Sequence, residues 1–343
     1  MERKMSLATH RRPIKNPHMK AVLFERYGSA DLLKLQEVKK PVPAAGEVLI
    51  KVEATAVNSW DWELMRAKPF ANRVMFGLSR PTKIRSLGCD VAGYVEAVGE
   101  QVTRFCVGDA VFGDLSSGHW GGFAEYACAG ENEVLPKPQS ITFEEAAAVP
   151  QAGLLALQAL QYKKEVSPGD RVLINGASGG VGSFAVQLAK LAGAEVTGVC
   201  STAKRELVFS YGADHVIDYT IEDFTRNEQG YDRIVDVKGF HSLFEYKRAL
   251  RPGGIYAMVG GKTVLVNQVM LLGPLISFFT NKQMGLVLHK ANKGLDVMAD
   301  LLENGKLKVV IDKFFTLEEV PEAIRYVEEG SARGKVVITV AKR

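Results

Sequence analysis

The glycine-rich stretch at residues 175–182 (NGASGGVG) is the feature that most constrains the fold of this chain. It follows an apolar run at 171–174 that is typical of a buried strand, and it precedes residues 183–191, whose apolar side chains have helical spacing. A second strand candidate at 195–200 completes a βαβ unit. Glycines let the backbone approach phosphates, and a helix start offers free N–H groups and a partial positive charge. The stretch therefore predicts a dinucleotide-binding turn.

The residues after the second strand predict which dinucleotide binds. An NAD site usually has Asp or Glu there, because a carboxylate bonds the ribose 2′-hydroxyl. This chain has no acid at that place and runs Ser201-Thr202-Ala203-Lys204-Arg205. Hydroxyls and cations can hold a 2′-phosphate, which an acid would repel. We therefore predict NADPH as the cofactor, held by Ser201, Thr202 and Lys204. The alternative is that Lys204 and Arg205 only solvate the next helix.

Length and charge limit the other function classes. The 343 residues suffice for two domains, and 47% hydrophobic with 24% charged residues is typical of a globular protein. Residues 1–18 hold five cations and one acid, which equals the whole net charge of +4, so the remaining body is formally neutral. A neutral body argues against nucleic-acid binding. We predict that residues 1–18 are a flexible basic tail, because they show neither a secretory signal nor a clear amphipathic transit pattern.

The cysteines indicate a reducing compartment. They are few and widely spaced, without a C-x-x-C pair, so neither a zinc knuckle nor a disulfide framework is indicated. Reduced thiols are typical of cytosolic proteins, and we predict a cytoplasmic location.

Two styles of secondary structure divide the chain. The first part reads as short strands separated by glycine and proline, at barrel-like intervals, with candidates at 20–24, 47–52, 93–98 and 109–112. Helical patterns at 143–148 and 153–160 then begin an alternation of helices and strands, with further strands at 215–219, 231–237, 254–259 and 284–288. Such alternation predicts a doubly wound parallel sheet. The C-terminal part (helix 294–305, strand 309–311, helix 317–329, strand 335–340) is predicted to rejoin the first domain.

The most apolar stretch lies at residues 264–279. Gly273-Pro274 are predicted to break it, and it is too short and interrupted for an integral membrane span. It is predicted to form core and subunit contact, with self-association into a homodimer left open. The alternative is an apolar wall at the mouth of a substrate site.

Several motifs together resemble the medium-chain dehydrogenase/reductase superfamily, in its zinc-free quinone-oxidoreductase-like branch. They are residues 43–52, 88–93, 98–99, 105–112 and 121–126, with the glycine turn. The resemblance runs from Met19 to the end. It implies an α/β chain with a Rossmann doubly wound parallel sheet and a β-rich GroES-like barrel domain, separated by a cleft. The predicted limits are 19–146 with 293–343 for the GroES-like catalytic domain and 147–292 for the Rossmann domain.

The resemblance also predicts the chemistry. Zinc alcohol dehydrogenases have a Cys and a Gly-His-Glu turn where this chain has Asn58 and Gly88-Cys89-Asp90, so we predict no metal. Without a Lewis acid, alcohol oxidation loses its alkoxide stabilisation, whereas reduction of a polarised acceptor does not need one. This favours hydride transfer from NADPH to a small-molecule quinone or enone (an α,β-unsaturated carbonyl). An enoyl-thioester reductase and a catalytically idle NADPH-binding partner protein remain alternatives.

The resemblance places Asn58 and Asp61 at the cleft, as candidate catalytic residues. Asn58 would donate to the acceptor oxygen or hold a ribose hydroxyl, and the alternative for both residues is a structural turn. Trp60 and Trp62 would pack against a planar acceptor or in the core. Residues 66–86 are predicted to form a loop over the cleft that sets specificity.

Cofactor contacts are also implied by the resemblance. Ser178, Gly179, Gly180 and Val181 would lie on the pyrophosphate. Tyr219 would lie near the 2′-phosphate, and Gly260 and Gly261 near the nicotinamide ribose. Lys335 matches a late cation of the family near the cofactor, or is a solvated turn lysine. Leu155 stands where relatives commonly have a threonine near the nicotinamide.

Overall fold

The computed structural model describes residues 17–226 and 230–341. The N-terminal part contains strands β1 (His18–Leu23), β2 (Lys34–Lys39), β3 (Glu47–Val57), β4 (Asp90–Val98), β5 (Ala110–Asp114), β6 (Tyr126–Gly130) and β7 (Val134–Pro136). Its helices are α1 (Ser59–Arg66), α2 (Ala71–Phe76) and α3 (Phe143–Ala147). These elements place two antiparallel ladders, β3 with β4 and β4 with β5, at the centre of a seven-stranded sheet.

The middle of the chain alternates strands with helices. Its elements are α4 (Pro150–Leu160), β8 (Arg171–Asn175), α5 (Gly180–Leu191), β9 (Glu195–Cys200), α6 (Arg205–Ser210), β10 (His215–Asp218), β11 (Tyr231–Asp236), α7 (Leu243–Ala249), β12 (Leu250–Met258), α8 (Thr263–Phe279) and β13 (Gln283–Leu286). The six strands pair in parallel in the order β10-β9-β8-β11-β12-β13. The strand order reverses between β8 and β11, where open α/β sheets bind ligands at the carboxyl ends. The predicted fold class is confirmed.

The C-terminal elements return to the first sheet. They are α9 (Leu295–Glu303), β14 (Ile311–Thr316), α10 (Val320–Glu328) and β15 (Lys335–Thr339). Strand β15 pairs antiparallel with β3, and Val336 lies opposite Val57. This register brings Lys335 beside Asn58, although the two are far apart in sequence. The domain limits given above stay predictions.

Four local expectations differ from the structure. The strand expected at 309–311 begins at Ile311 and extends to Thr316, because it pairs in parallel with β15. Residues 66–86 are not all loop, since they include α2. The first described strand begins at His18, one residue inside the expected tail, because His18 pairs with Lys39. Residues 1–16 lie outside the described residues.

The fourth difference concerns the apolar stretch at 264–279. Helix α8 continues through Gly273-Pro274 instead of breaking there. Proline removes a backbone hydrogen bond from a helix, but Pro274 lies on the exposed side, and the Ser277 hydroxyl donates to the Gly273 carbonyl at 2.8 Å. Leu265 and Val269 pack inward from this helix. Among the helices of residues 17–226 and 230–341, none has the length and apolarity needed to cross a bilayer.

Candidate functional site

The glycine turn lies between β8 and α5. Gly176 has φ = +87°, a left-handed conformation that glycine tolerates best. A Cβ at Gly182 would lie 2.2 Å from the Gly176 carbonyl oxygen, so the first turn of α5 can pack against the loop only as glycine. Helix α5 begins at Gly180, with Gly179 before it as the N-cap. The first N–H groups of a helix have no carbonyl partner within it, so the start of α5 can face an anion.

The other predicted pyrophosphate contacts lie at the same turn. Ser178 is buried within the loop, and Val181 is half-buried in the first turn of α5. Together with Gly179 and Gly180 they form one continuous backbone segment at the carboxyl end of β8. The structure therefore brings these four residues together at the point where the strand order reverses.

Lys204 lies near two other cations, Arg333 and Lys238. The Lys204 ammonium donates to the main-chain carbonyls of Ala332 at 3.1 Å and Gly330 at 3.4 Å. Burial, together with the neighbouring Arg333 and Lys238 side chains, lowers the pKa of Lys204. Clustered cations repel one another, and a bound phosphate would relieve that repulsion.

Lys238 was missed by the sequence analysis. A Cβ at Gly176 would lie 3.1 Å from Lys238 Cγ, so the lysine stem runs directly beside the glycine turn. Lys238 follows β11 by two residues. The sequence signal was therefore a lysine just beyond the carboxyl end of a strand, but it points to the turn only once β11 is known to neighbour β8.

The sequence analysis also assigned no role to the acid at the end of β10, Asp218. The carboxylate of Asp218 is buried, and it accepts hydrogen bonds from the Thr202 hydroxyl and from Thr220 N at 3.0 Å. These hydrogen bonds lower the pKa of Asp218, so the group stays ionised. Thr202 is thus already engaged, whereas Ser201 is half-exposed beside it. The ring of Tyr219 is 51% exposed at the same edge of the sheet.

Gly260 and Gly261 lie in the loop after β12. The Gly260 carbonyl accepts from Gly239 N at 3.1 Å, and a Cβ at Gly261 would lie 2.8 Å from Gly239. The loops after β11 and β12 therefore pack closely, backbone against backbone, at the same end of the sheet as the glycine turn.

A buried polar cluster lies where the barrel sheet meets this turn. Asn58 Nδ2 donates to Asp90 Oδ2 at 2.9 Å, and Asn58 Oδ1 accepts from the Lys335 ammonium. Lys335 Nζ also lies 3.4 Å from Asp90 Oδ2, and Gln151 N donates to Asp90 Oδ1 at 2.9 Å. All four residues are buried. Burial raises the pKa of Asp90, and the Lys335 cation lowers it.

Lys335 links this cluster to the glycine turn. A Cβ at Gly180 would lie 2.8 Å from Lys335 Cδ, so only glycine leaves room for the lysine stem. Lys335 is 3% exposed, which excludes the alternative of a solvated turn lysine.

Asp61 has a different environment from Asn58. Its side chain is fully buried, with Oδ2 accepting from Asn58 N at 2.8 Å and Oδ1 from Gly88 N at 2.9 Å. Burial raises the pKa of Asp61 to about 7, against the two main-chain hydrogen bonds, which lower it. Since both oxygens are used, the geometry favours the structural alternative, in which Asp61 fixes the start of α1.

The two tryptophans of α1 differ in their contacts. The Trp60 ring lies 5.3 Å from that of Trp120 and 6.4 Å from that of His289. His289 Nε2 in turn lies 2.6 Å from the buried Asp114 carboxylate. Trp60 and Trp62 both pack against the core of the barrel domain, and Trp60 alone of the two also contacts His289, the partner of Asp114.

Cys89, Asp90 and Asp114 form a metal-type group, with ligand atoms within 4.8 Å of one another. Zinc binds thiolates and unengaged carboxylate oxygens. Burial raises the pKa of the Cys89 thiol well above its usual range, so the thiol is protonated when no metal ion is bound. Asp90 is held by Lys335 and Asp114 by His289. These residues do not fit a zinc ion.

The chain is similar to known proteins over most of its length. A family profile described as "Alcohol dehydrogenase GroES-like domain" matches residues 44–139, and one described as "Zinc-binding dehydrogenase" matches residues 211–338. Quinone-oxidoreductase QR1, chloroplastic, from Triphysaria versicolor is 35% identical over 337 residues, covering 93% of this chain and 98% of the relative. A 2-methylene-furan-3-one reductase from Solanum lycopersicum is 35% identical over 331 residues, covering 93% and 79%.

A solved structure has the same fold. The quinone oxidoreductase from Coxiella burnetii superposes with a TM-score of 0.85 at 31% identity, covering 94% of this chain and 100% of that one. The cytoplasmic location and the homodimer stay predictions.

Proposed function

The chain belongs to the medium-chain dehydrogenase/reductase superfamily, in its quinone-oxidoreductase-like branch, and we propose that it transfers hydride from NADPH to a quinone or an α,β-unsaturated carbonyl without a metal ion. As a member it is a nicotinamide-dependent oxidoreductase. The observation that carries the finer proposal is the buried Lys335, which bonds Asn58 and Asp90 and packs on Gly180. One lysine thereby joins the two parts of the site, with its ammonium in the polar cluster and its stem against the dinucleotide turn.

The chain's own residues fit the phosphates of NADPH. The N–H groups of Ser178, Gly180 and Val181 and the Lys335 ammonium hold the pyrophosphate, whereas the Gly179 N–H donates to the Gly176 carbonyl at 3.2 Å and stabilises the turn. Lys204, with Lys238 and Arg333, holds the 2′-phosphate, because the three cations repel one another and Lys238 runs beside the turn. Bound NADPH supplies the hydride.

Asn58 and Lys335 form the polar end of the acceptor site. Both N–H groups of the Asn58 amide are directed within the cluster, one to Asp90 at 2.9 Å and one to Cys89 Sγ at 3.6 Å. The contact to the thiol is the weaker of the two, so we assign that N–H to the oxygen of the acceptor. An amide held in place by its neighbours stabilises developing negative charge without reorganising.

The name of the tomato relative supports the enone arm of the proposal, and the two quinone oxidoreductases support the quinone arm. The test is NADPH oxidation by the purified chain with a panel of quinones, enals and enones, and saturated alcohols with NADP⁺ as the matched control. We expect turnover with electron-poor acceptors and none with alcohols. Tight NADPH binding without turnover of any acceptor would instead favour the idle binding protein, and robust alcohol oxidation would refute the proposal.

A further inference from the structure

Helix α2 presents its apolar side chains to solvent. Phe70, at its N-cap, is 68% exposed, and Val74 and Met75 are 66% and 53% exposed. Phe70 and Val74 are four residues apart and therefore lie on one side of the helix. A surface helix normally turns its apolar side toward the core.

The inward side of α2 is polar and aromatic instead. Asn72 is buried and donates to the Lys68 carbonyl at 3.0 Å. Arg73 lies over the Tyr27 ring at 4.7 Å, and the Phe76 ring lies 6.3 Å from that of Trp120. These contacts hold the helix in place with its apolar residues outward, so their exposure is fixed by packing.

The sequence on both sides of these exposed apolar residues is rich in cations. Residues 64–89 contain six Lys and Arg and no Asp or Glu, although the body of the chain is formally neutral. Within the described residues, Arg66 is paired with Glu328 at 2.8 Å. Lys68, Arg80 and Lys83 are exposed, and Leu78 is 68% exposed between them.

From this arrangement we propose that residues 68–83 dock on an anionic lipid bilayer. A surface that combines exposed aromatic and aliphatic side chains with Lys and Arg, and without acids, suits the boundary between acyl chains and anionic headgroups. A purely polar, acidic protein surface would match the cations but would leave the Phe70 and Val74 side chains without apolar cover. Through Phe76 and Trp120, the surface is two ring contacts away from Trp60. The inference goes beyond the proposed function and does not depend on it.

Vesicle flotation of the full chain tests this, without cofactor or acceptor present. The two vesicle types are phosphatidylcholine alone and phosphatidylcholine with one quarter phosphatidylglycerol. We expect binding only to the anionic vesicles, weakening as salt is raised. The triple variant Lys68→Gln/Arg80→Gln/Lys83→Gln should bind about a hundredfold more weakly, since each cation near an anionic surface contributes roughly a fivefold factor.

Three further variants separate the terms of the proposal. Phe70→Ser/Val74→Ser keeps the charge and should also lose binding. Lys34→Gln/Lys293→Gln/Lys306→Gln removes the same charge from exposed positions elsewhere and should bind as the wild type. Phe278→Ser/Phe279→Ser removes the exposed aromatic residues of α8, which are 83% and 77% exposed, and should also bind as the wild type. Unchanged thermal melting of each variant shows that it is folded.

Four results would overturn the inference. They are no flotation of the wild type, equal binding to both vesicle types, loss of binding in the α8 variant with the charge variant unaffected, and capture by an immobilised acidic carrier protein with no flotation.

Discussion

The Lys335–Asp90 pair offers a test of the candidate site through stability. Lys335→Met keeps the stem that packs on Gly180 but removes the ammonium. Nζ lies 3.4 Å from Asp90 Oδ2, with both side chains buried, so the change leaves a buried carboxylate without its cation. Breaking a buried ion pair on one side costs about 3–5 kcal/mol of unfolding free energy, and we expect a loss in that range near neutral to alkaline pH.

The loss should depend on pH, and its sign follows from Asp90. Burial raises the pKa of this carboxyl, and Lys335 lowers it, so removing Lys335 raises the pKa further. Between the pKa of Asp90 in the unfolded chain and its higher pKa in the folded variant, Asp90 is protonated in the folded variant but ionised in the unfolded chain. The stability of the variant is retained below the unfolded pKa of about 4 and falls by about 1.4 kcal/mol per pH unit until the folded pKa is reached. The deficit relative to wild type is therefore smaller in acid.

Urea denaturation at about pH 5 and about pH 8 measures both effects. The double variant Lys335→Met/Asp90→Asn removes both charges and should be more stable at the higher pH than Lys335→Met alone, because no buried charge remains unpaired. Lys34→Met, at an exposed position, is the matched control and should change little. An equal deficit of Lys335→Met at both pH values, or a double variant no better than the single one, would refute the reasoning.

Four further outcomes follow from the site. Lys204→Ala should weaken NADPH binding by roughly 1.5–3 kcal/mol and leave NADH unaffected in calorimetry; equal wild-type affinity for the two cofactors would contradict the choice of NADPH. Asn58→Ala should lower kcat by about 10²-fold with little change in NADPH affinity, and a fall in affinity alone would make Asn58 a ribose ligand. Chelator treatment should leave activity and Tm unchanged, whereas stoichiometric zinc in the purified protein would refute metal independence. Asp61→Asn should lower the unfolding free energy by about 1–3 kcal/mol, because an amide group would face a main-chain N–H that now has an acceptor; an unchanged midpoint in urea would contradict this.

The parts of the fold that depend on local sequence were predictable. The glycine turn, its flanking strands and the alternation around it follow from residue spacing within short windows, and the observed β8, α5 and β9 lie at the expected places. The break expected in α8 was wrong because proline forbids only one helical hydrogen bond. Pro274 lies on the exposed side of α8, where water can hydrogen-bond the carbonyl that loses its partner.

The parts that depend on strand order were not predictable from spacing. Asn58 and Lys335 were each named through the resemblance, but their bond arises from the register of β15 on β3. Lys238 lies beside the glycine turn only because β11 pairs with β8. Asp218 was not predicted, because the acid of an NAD site is expected after the second strand of the sheet, whereas Asp218 ends the third strand, β10.

The net charge of the chain gives no indication that acids and a lysine are buried together at the candidate site. Asp61, Asp90 and Asp114 are all buried around Cys89, and burial raises the pKa of the first two. Among these acids Asp90 pairs with Lys335, which lies in the last strand, far from Asp90 in sequence. The C-terminal strands are therefore part of the site and do more than close the barrel. Any change that shifts the register of β15 on β3 should lower stability, because it separates Lys335 from Asp90, and under the proposed pyrophosphate role of Lys335 it should weaken cofactor binding as well.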